Sequence, residues 1–262
     1  MKKTVIAAAL ASTVFSGAAM AWTAAGTGGN IEMGGSIQIT PYTTPWEVMV
    51  GAPATALNAN ITKGVKVVAI PVTKAIPVLG IRTVRASIFN GRPGIDPQIN
   101  FNGAVKVDNF VNGTTTMNLP VVNADNPATQ IGTLETKFSA AALSSYVVTG
   151  NSGVYSTFAA SAGDAFWGGI AKQANKVAVT YDAAREMINS INPAYLTTFS
   201  FEGTPVKQDP QIMKFISTTQ GLSGAYGSGI QSGANIKLTL TAPAANDVIK
   251  WKASMPVTIS YQ

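Results

Sequence analysis

The chain has 262 residues, of which 46% are hydrophobic and 11% charged, and its formal net charge is +6. It contains no cysteine and no histidine, which excludes thiolate chemistry, histidine-based catalytic triads and the usual zinc sites. The basic residues are scattered and are not interleaved with aromatic residues, so no nucleic-acid partner is predicted. The composition is that of a protein that buries much of its surface, and assembly with partners would account for it.

The first segment of the chain predicts export. Lys2 and Lys3 precede a short apolar stretch, and Ala19-Met20-Ala21 is a small-x-small cleavage site directly before Trp22. The stretch is too short for a permanent transmembrane helix, and no later segment offers about twenty uninterrupted apolar residues. We therefore predict a signal peptide over 1–21 and a mature chain without a membrane anchor, folded as one elaborated domain in preference to two small ones.

The mature chain begins with a small, polar segment that has no pattern for packing by itself. From Ile31 to Ile39, apolar residues and Gly35 share one parity, which predicts a strand with one apolar face. Several short strands with turn signals between them favour a β-sandwich, and Pro71, Pro77 and Pro120 indicate sheet edges or strand ends. These strands are predicted at Val65–Val72, Ile76–Leu79, Ile99–Val107, Met117–Val122, Thr133–Phe138 and Asn235–Thr241.

Helix signals replace the alternation between about residues 156 and 221. Asp182 can cap a helix that runs to Ile191, and Pro193 would stop it. Two further short helices are predicted, one opening at Asp209-Pro210 and running toward Phe215, the other over the alanine-rich stretch Phe158–Ala174. We interpret the region as a helical insertion in a β core, and a set of long irregular loops is the alternative.

The C-terminal residues alternate again, which predicts a strand that runs to the end of the chain. An unfinished apolar sheet edge is a liability in an isolated protein, but in a polymer the tail of a neighbour can complete it. The predicted donor residues are Ile31 and Met33, with Trp22 as an outer anchor and Gly35 at a close backbone approach. The predicted acceptor-groove residues, which a chaperone would contact as well, are Met255, Val257, Ile259 and Tyr261.

Taken together, segments along nearly the whole chain resemble the K88 (F4) fimbrial subunits and their relatives F41 and CS31A. The similarity lies in Trp22-Thr23, 30–37, 46–51, 78–80 with Arg82-Thr83, 94–99 with Phe101, 166–169, 225–227 with Gly229-Ile230, and 256–261. The order of these segments is that of the family. The lack of cysteine also fits this group.

The resemblance implies a mainly β fold, namely an incomplete immunoglobulin-like sandwich over 36–262 that carries a small helical insertion. It further implies that a periplasmic chaperone pairs with the C-terminal strand, that an outer-membrane usher receives the subunit, and that the tail 22–35 is donated to an identical or related subunit. The family's insertion holds a receptor surface, which implies adhesion to host glycoconjugates at the cell surface. This chain is shorter and more basic than the family's major subunits, so a major and a minor subunit both stay open.

A glycan site needs an aromatic plate with polar groups around it. Phe166 and Trp167, beside Asp164 and Lys172, are the best local match, although adjacent aromatic residues in an alanine- and glycine-rich segment can equally belong to the core. No pair stands out among the 12 acidic residues, so neither an enzyme nor a cofactor is predicted. A self-complete secreted glycan-binding domain that never polymerises is the alternative from another functional class.

Overall fold

The computed structural model describes residues 44–245 and 248–262. The predicted signal peptide and donor residues Trp22, Ile31, Met33 and Gly35 lie outside the described residues. The strands of the described part are β1 Trp46–Val50, β2 Val67–Pro71, β3 Ile76–Thr83, β4 Phe89–Asn90, β5 Pro97–Asn100, β6 Thr114–Asn123, β7 Gln130–Val148, β8 Asn151–Phe158, β9 Val206–Ile212, β10 Gly221–Ile230, β11 Asn235–Leu240, β12 Trp251–Ala253 and β13 Thr258–Tyr261. Helix α1 spans Tyr181–Ile191, and short 3-10 helices span Val107–Asn109, Ala174–Lys176 and Pro193–Leu196.

The larger sheet is organised around β7, a strand of 19 residues. The first half of β7 pairs with β11 and β6, and its second half pairs with β10 and β8. Strand β3 pairs with β10, β1 with β3, and β2 with β11, so β1 and β2 lie at opposite ends of the sheet. Strands β5 and β13 form a separate antiparallel pair, and Phe101, just after β5, packs edge-on against Phe138 of β7. The predicted mainly β fold with a small helical element is confirmed.

The two halves of β7 differ in what covers them. Between Gly132 and Phe138 buried and exposed residues alternate, as expected for a strand with one face in water. From Ser139 to Ser145 every residue is buried. The side chains of this second half are mostly small, which leaves room for one layer on each face. Ala140 and Ala142 belong to the main core, whereas Ala141 and Leu143 belong to a second cluster under helix α1.

Helix α1 forms the layer on the outer face of that second half. The Thr180 hydroxyl accepts a hydrogen bond from the Ala183 N–H at 3.1 Å and caps the helix. The predicted helix is confirmed, although its cap is Thr180 and not Asp182, which lies in the first turn. Buried residues recur every three or four positions and face the sheet together with Tyr195: Tyr181, Ala184, Ile188 and Ile191.

The helix predicted at Asp209-Pro210 was wrong, because this segment is strand β9, which runs parallel to β8. Tyr155 of β8 pairs with Gln208 and Thr157 pairs with Gln211, so two residues of β9 lie opposite one residue of β8. Such a bulge at a sheet edge accommodates a proline, which has no N–H to donate. The cap-plus-proline pattern therefore marks an irregular edge strand.

The helix predicted over Phe158–Ala174 was also wrong. Apart from the end of β8 and the start of a 3-10 turn, the stretch consists of turns and bends. Gly163, Phe166 and Gly168 have φ values of +89°, +64° and +79°, which no right-handed helix allows. The alanines of the stretch are needed for their small size, since Ala159, Ala165 and Ala171 are buried in the main core.

The predicted strand positions were largely confirmed, with shifted boundaries. Ile99–Val107 ends as a strand at Asn100, because the chain turns through left-handed conformations at Asn102 and Gly103. Thr133–Phe138 is only the middle of β7. The three prolines lie where expected. Pro71 is the last residue of β2. Pro77 lies outside the stretch of β3 that pairs with β1, and Pro120 lies outside the stretch of β6 that pairs with β12.

Candidate functional site

The C-terminal strand is bound along one side. Strand β13 pairs antiparallel with β5, with Ile259 opposite Ile99 and Tyr261 opposite Pro97. Among the residues that the structure describes, β5 is the only strand that pairs with β13. The predicted acceptor residues Met255, Val257, Ile259 and Tyr261 all face the main core, yet all four stay partly exposed. An inward-facing row that the described residues do not cover completely leaves room for a further strand.

Strand β1 shows the same incomplete burial. Val48 lies opposite Ile81 and Val50 opposite Leu79, and both partners are fully buried. Since directly paired residues share a face, Val48 and Val50 point to the interior of the fold. They are nevertheless 41% and 65% exposed, although Trp46 at the start of the strand is buried.

The start of β1 lies beside the end of β13. The side chain of Thr44, just before β1, lies close to the Tyr261 hydroxyl at the end of β13. The Trp46 indole N–H also donates to the carbonyl of Ile95, close to β5, at 2.7 Å. These contacts hold the start of β1 against the sheet that carries the C-terminal strand. We name the partly exposed rows on β1 and β13 the open edge, comprising Val48, Val50, Met255, Val257, Ile259 and Tyr261.

A cleft of about 700 Å³ lies along β5 and β13 and between the turns near residues 105–109 and 162–172. Trp167 and Lys172 line it, and the Lys172 ammonium lies 5.2 Å from the centre of the Trp167 ring. The same ammonium is 2.6 Å from a carboxylate oxygen of Asp108. Hydroxyl groups of Thr258 and Ser260 complete the wall on β13. The cleft thus combines the aromatic side chains of Phe101 and Trp167 with charged and hydroxyl groups, as saccharide sites do.

The four predicted glycan residues are divided between this cleft and the core. Trp167 and Lys172 face the cleft. Phe166 is fully buried and its ring stacks on Tyr226, with ring centres 5.7 Å apart. Asp164 is buried as well, and one of its carboxylate oxygens accepts hydrogen bonds from the Ala160 and Ser161 N–H groups, both at 2.9 Å. Phe166 and Asp164 therefore support the wall of the cleft and do not line it.

A second buried carboxylate, Asp96, lies between the C-terminal residue and the insertion. Its backbone exchanges hydrogen bonds with Gln262, at 3.0 and 3.1 Å. Its side chain accepts a hydrogen bond from the Phe215 N–H at 2.7 Å. Burial raises the pKa of Asp96 to about 6, against the opposing effects of the Phe215 N–H and the Lys214 charge, and the nearby Asp164 charge adds to the rise.

The described residues contain no helix long and apolar enough to cross a membrane. No group of three or more acidic residues that could hold a metal ion occurs in the same part of the chain.

Comparison with known proteins identifies the class of protein to which this chain belongs. The chain belongs to the K88 fimbrial family, described as major and minor fimbrial subunits, and matches it over residues 1–262. Subunits of this family are structural proteins, not enzymes, and they are exported and form surface fimbriae with related subunits.

The particular relatives are three K88 fimbrial proteins of Escherichia coli. The chain is 29% identical to K88 fimbrial protein AB, 30% to AC and 30% to AD. Each comparison covers 100% of this chain and 100% of the relative.

Sequence reasoning missed Val48, Val50 and Asp108. The first two share parity with Trp46 and could have been found by extending the period-two pattern through the segment 46–50. Asp108 reaches the cleft only because the turn after β5 brings it beside Lys172, and sequence spacing carries no signal for that contact.

Proposed function

We propose that this fimbrial subunit polymerises by donor-strand exchange and that the open edge accepts the tail 22–35 of a neighbouring copy. The observation that carries the proposal is the incomplete burial of inward-facing apolar residues on β1 and β13. A protein that was complete by itself would cover these rows with its own chain. An added strand supplies main-chain hydrogen bonds along the edge and places alternate side chains against the exposed rows.

The chemistry of the tail matches this edge. Ile31 and Met33 share one parity and are apolar, as are the rows that they would contact. Burying one such side chain contributes roughly 1.5–3 kcal/mol, before the cost of ordering the tail is subtracted. A joint with several buried side chains and a hydrogen-bonded edge is expected to dissociate slowly.

The proposal is tested with the mature chain from Trp22 onward and with a version that lacks 22–35. Size-exclusion chromatography should show oligomers for the first and none for the second. A free peptide of 22–35 should raise the melting temperature of the shortened protein. The Met33→Asp peptide should not, whereas Glu32→Gln, which changes the opposite face of the strand, serves as the matched control and should still bind.

A stable shortened monomer that is indifferent to the peptide contradicts strand exchange. That outcome would favour the alternative, a self-complete secreted binding domain. A tail that folds into the groove of its own chain gives an intermediate result, namely an intact chain that stays monomeric, while its shortened version is still stabilised by the free peptide.

The second part of the proposal is attachment to host cells through a saccharide bound in the cleft. The exposed part of the Trp167 ring offers an apolar plate, and the surrounding hydroxyl and charged groups offer hydrogen bonds. Trp167→Ala should abolish binding to immobilised host glycoconjugates without changing the oligomers. Trp251→Ala, in β12 away from the lining of the cleft, is the control. Equal binding by both variants would remove the cleft from the proposal.

A periplasmic chaperone and an outer-membrane usher complete the proposed assembly route. The chaperone would protect the same open edge before the tail arrives, because the edge is apolar and lacks a strand. Co-purification of the subunit with the chaperone from the periplasm, lost on changing Ile259 to Asp, would support this. Immunogold labelling along the fimbria distinguishes a major subunit, which labels the whole shaft, from a minor one.

A further inference from the structure

Three chain segments meet at the end of the C-terminal strand. The first is the pair formed by Asp96 and Gln262, where β5 begins and β13 ends. The second is the turn that contains Asp164, whose neighbour Phe166 donates its N–H to the carbonyl of Pro97 at 2.7 Å. The third is the segment before β10, where Phe215 donates its N–H to the Asp96 carboxylate. Asp96 is thus the only one of these residues that joins the C-terminal residue by its backbone and another segment by its side chain.

Two acidic side chains are buried at this junction, together with the more exposed Lys214. Asp96 is 2% exposed and the Asp164 side chain 3%, and both are acidic. Lys214 lies 3.6 Å from the other Asp164 carboxylate oxygen, with its own side chain 49% exposed. After β13, the backbone carbonyl of Gln262 accepts the hydrogen bond from the Asp96 N–H. On the remaining side, the Arg92 N–H donates to the Phe215 carbonyl at 2.9 Å.

We propose that Asp96 is a positioning residue for the C-terminal strand, and that the folded junction it forms becomes more stable when the surroundings become acidic. Among the described residues, the buried Asp96 side chain accepts a hydrogen bond from the Phe215 N–H and lies near the acidic Asp164 and the basic Lys214. Adding a proton removes the buried charge, while the second oxygen can still accept the bond from Phe215. The inference goes beyond assembly and does not depend on the open edge accepting a tail.

The direction of the effect follows from linkage. A carboxyl group whose pKa is higher in the folded than in the unfolded chain binds its proton more tightly when folded. Its contribution to stability is fully present below the unfolded pKa of 3.8 and is lost as the pH rises through about 6. Between pH 7.5 and pH 5.0 this corresponds to a rise of about tenfold in the folding equilibrium constant.

Urea unfolding of the mature chain at pH 7.5 and pH 5.0 tests the inference. The wild-type folding constant should rise about tenfold more on acidification than that of Asp96→Asn, which keeps the shape and the acceptor but cannot ionise. Asp182→Asn, at an exposed carboxylate on α1, is the matched control and should follow the wild type. Equal pH responses of wild type and Asp96→Asn would overturn the proposal.

Two measurements on the wild type keep the test decisive if Asp96→Asn does not fold. The ¹³C signal of the Asp96 carboxyl should titrate with a midpoint near pH 6, and a midpoint near 3.8 would overturn the proposal. Hydrogen exchange of the Gln262 and Phe215 amides, corrected for the intrinsic pH dependence, should slow on acidification. Unchanged protection at these amides would show that the junction does not position the strand.

Discussion

The outer face of β7 and the open edge are both apolar, yet the residues that the structure describes cover only the first completely. Over β7, helix α1 and Tyr195 bury their apolar residues almost completely. Along β1 and β13, side chains of the same chemical kind face the interior and remain partly exposed. If the open edge binds a neighbouring subunit as proposed, the difference teaches that a surface for a partner is marked by how completely it is covered and not by its composition.

The largest loss of stability is expected on the covered face. Ile188 is fully buried between α1 and the sheet, so Ile188→Ala leaves a cavity and should lower the free energy of unfolding by about 2–5 kcal/mol. Urea denaturation measures the change. Asn189→Ala, exposed on the same helix, should alter it by less than about 0.5 kcal/mol. Similar small effects of both variants would mean that the helix is not packed as described.

The next largest loss of stability is expected where the Tyr195 ring lies against strand β3. A Cβ atom on Gly80 would lie 2.1 Å from ring atoms of Tyr195, so Gly80→Ala should cost about 1–3 kcal/mol of stability. Calorimetry of Gly80→Ala, Tyr195→Leu and the double variant measures the coupling between the two positions. The double variant should be more stable than the sum of the single effects predicts, and strict additivity would show that the ring moves aside freely.

A smaller effect is expected at the start of α1. Thr180→Ala removes the oxygen that accepts the Ala183 N–H and should lower the free energy of unfolding by about 1 kcal/mol. Thr180→Ser keeps that oxygen and serves as the control in the same denaturation experiment. If both variants lose equal stability, the methyl group of Thr180 and not its hydroxyl is what matters.

The smallest effect on the isolated subunit is expected at the open edge. Val50 is 65% exposed, so Val50→Asp should change the stability of the tail-less monomer by no more than about 0.5 kcal/mol. If the edge accepts a neighbour's tail, the same change should prevent oligomers in size-exclusion chromatography. Val206→Asp places the same charge on the distant edge strand β9, where valine is 57% exposed, and should leave the oligomers intact.

Strands with plain alternation could be predicted from the sequence, whereas β10 could not. The segment Gly221–Ile230 contains glycines that read as turn signals. In the fold those glycines make room for rings, since a Cβ atom at Gly224 would clash with Phe215 and one at Gly227 with Ile188. Such strands are specified by the side chains that pack across their glycines, and those side chains come from other parts of the chain.

The candidate site was predictable to a similar extent. Alternation predicted the row on β13, because a strand with one buried face imposes period two. It could not decide between Phe166 and Trp167, because these residues lie in a turn. There the direction of each side chain depends on the local backbone angles and not on a regular period. The positive φ of Phe166 sends its ring into the core and leaves Trp167 at the cleft. That choice depends on the backbone turn and not on residue type.

The length of β7 also has a kinetic consequence. Its partners on one side, β10 and β11, begin only at Gly221 and Asn235, far along the chain from Gln130 where β7 starts. Pairings between segments so distant in sequence form late, because a long loop must close before they yield any contact. A newly made chain can pair β7 with its neighbours in sequence, β6 and β8, but the other side of this long strand stays unpaired until β10 and β11 are available. Folding of this subunit is therefore expected to be slow and to be completed only after residues 221–240 are available, and until then that side of the strand is exposed to aggregation.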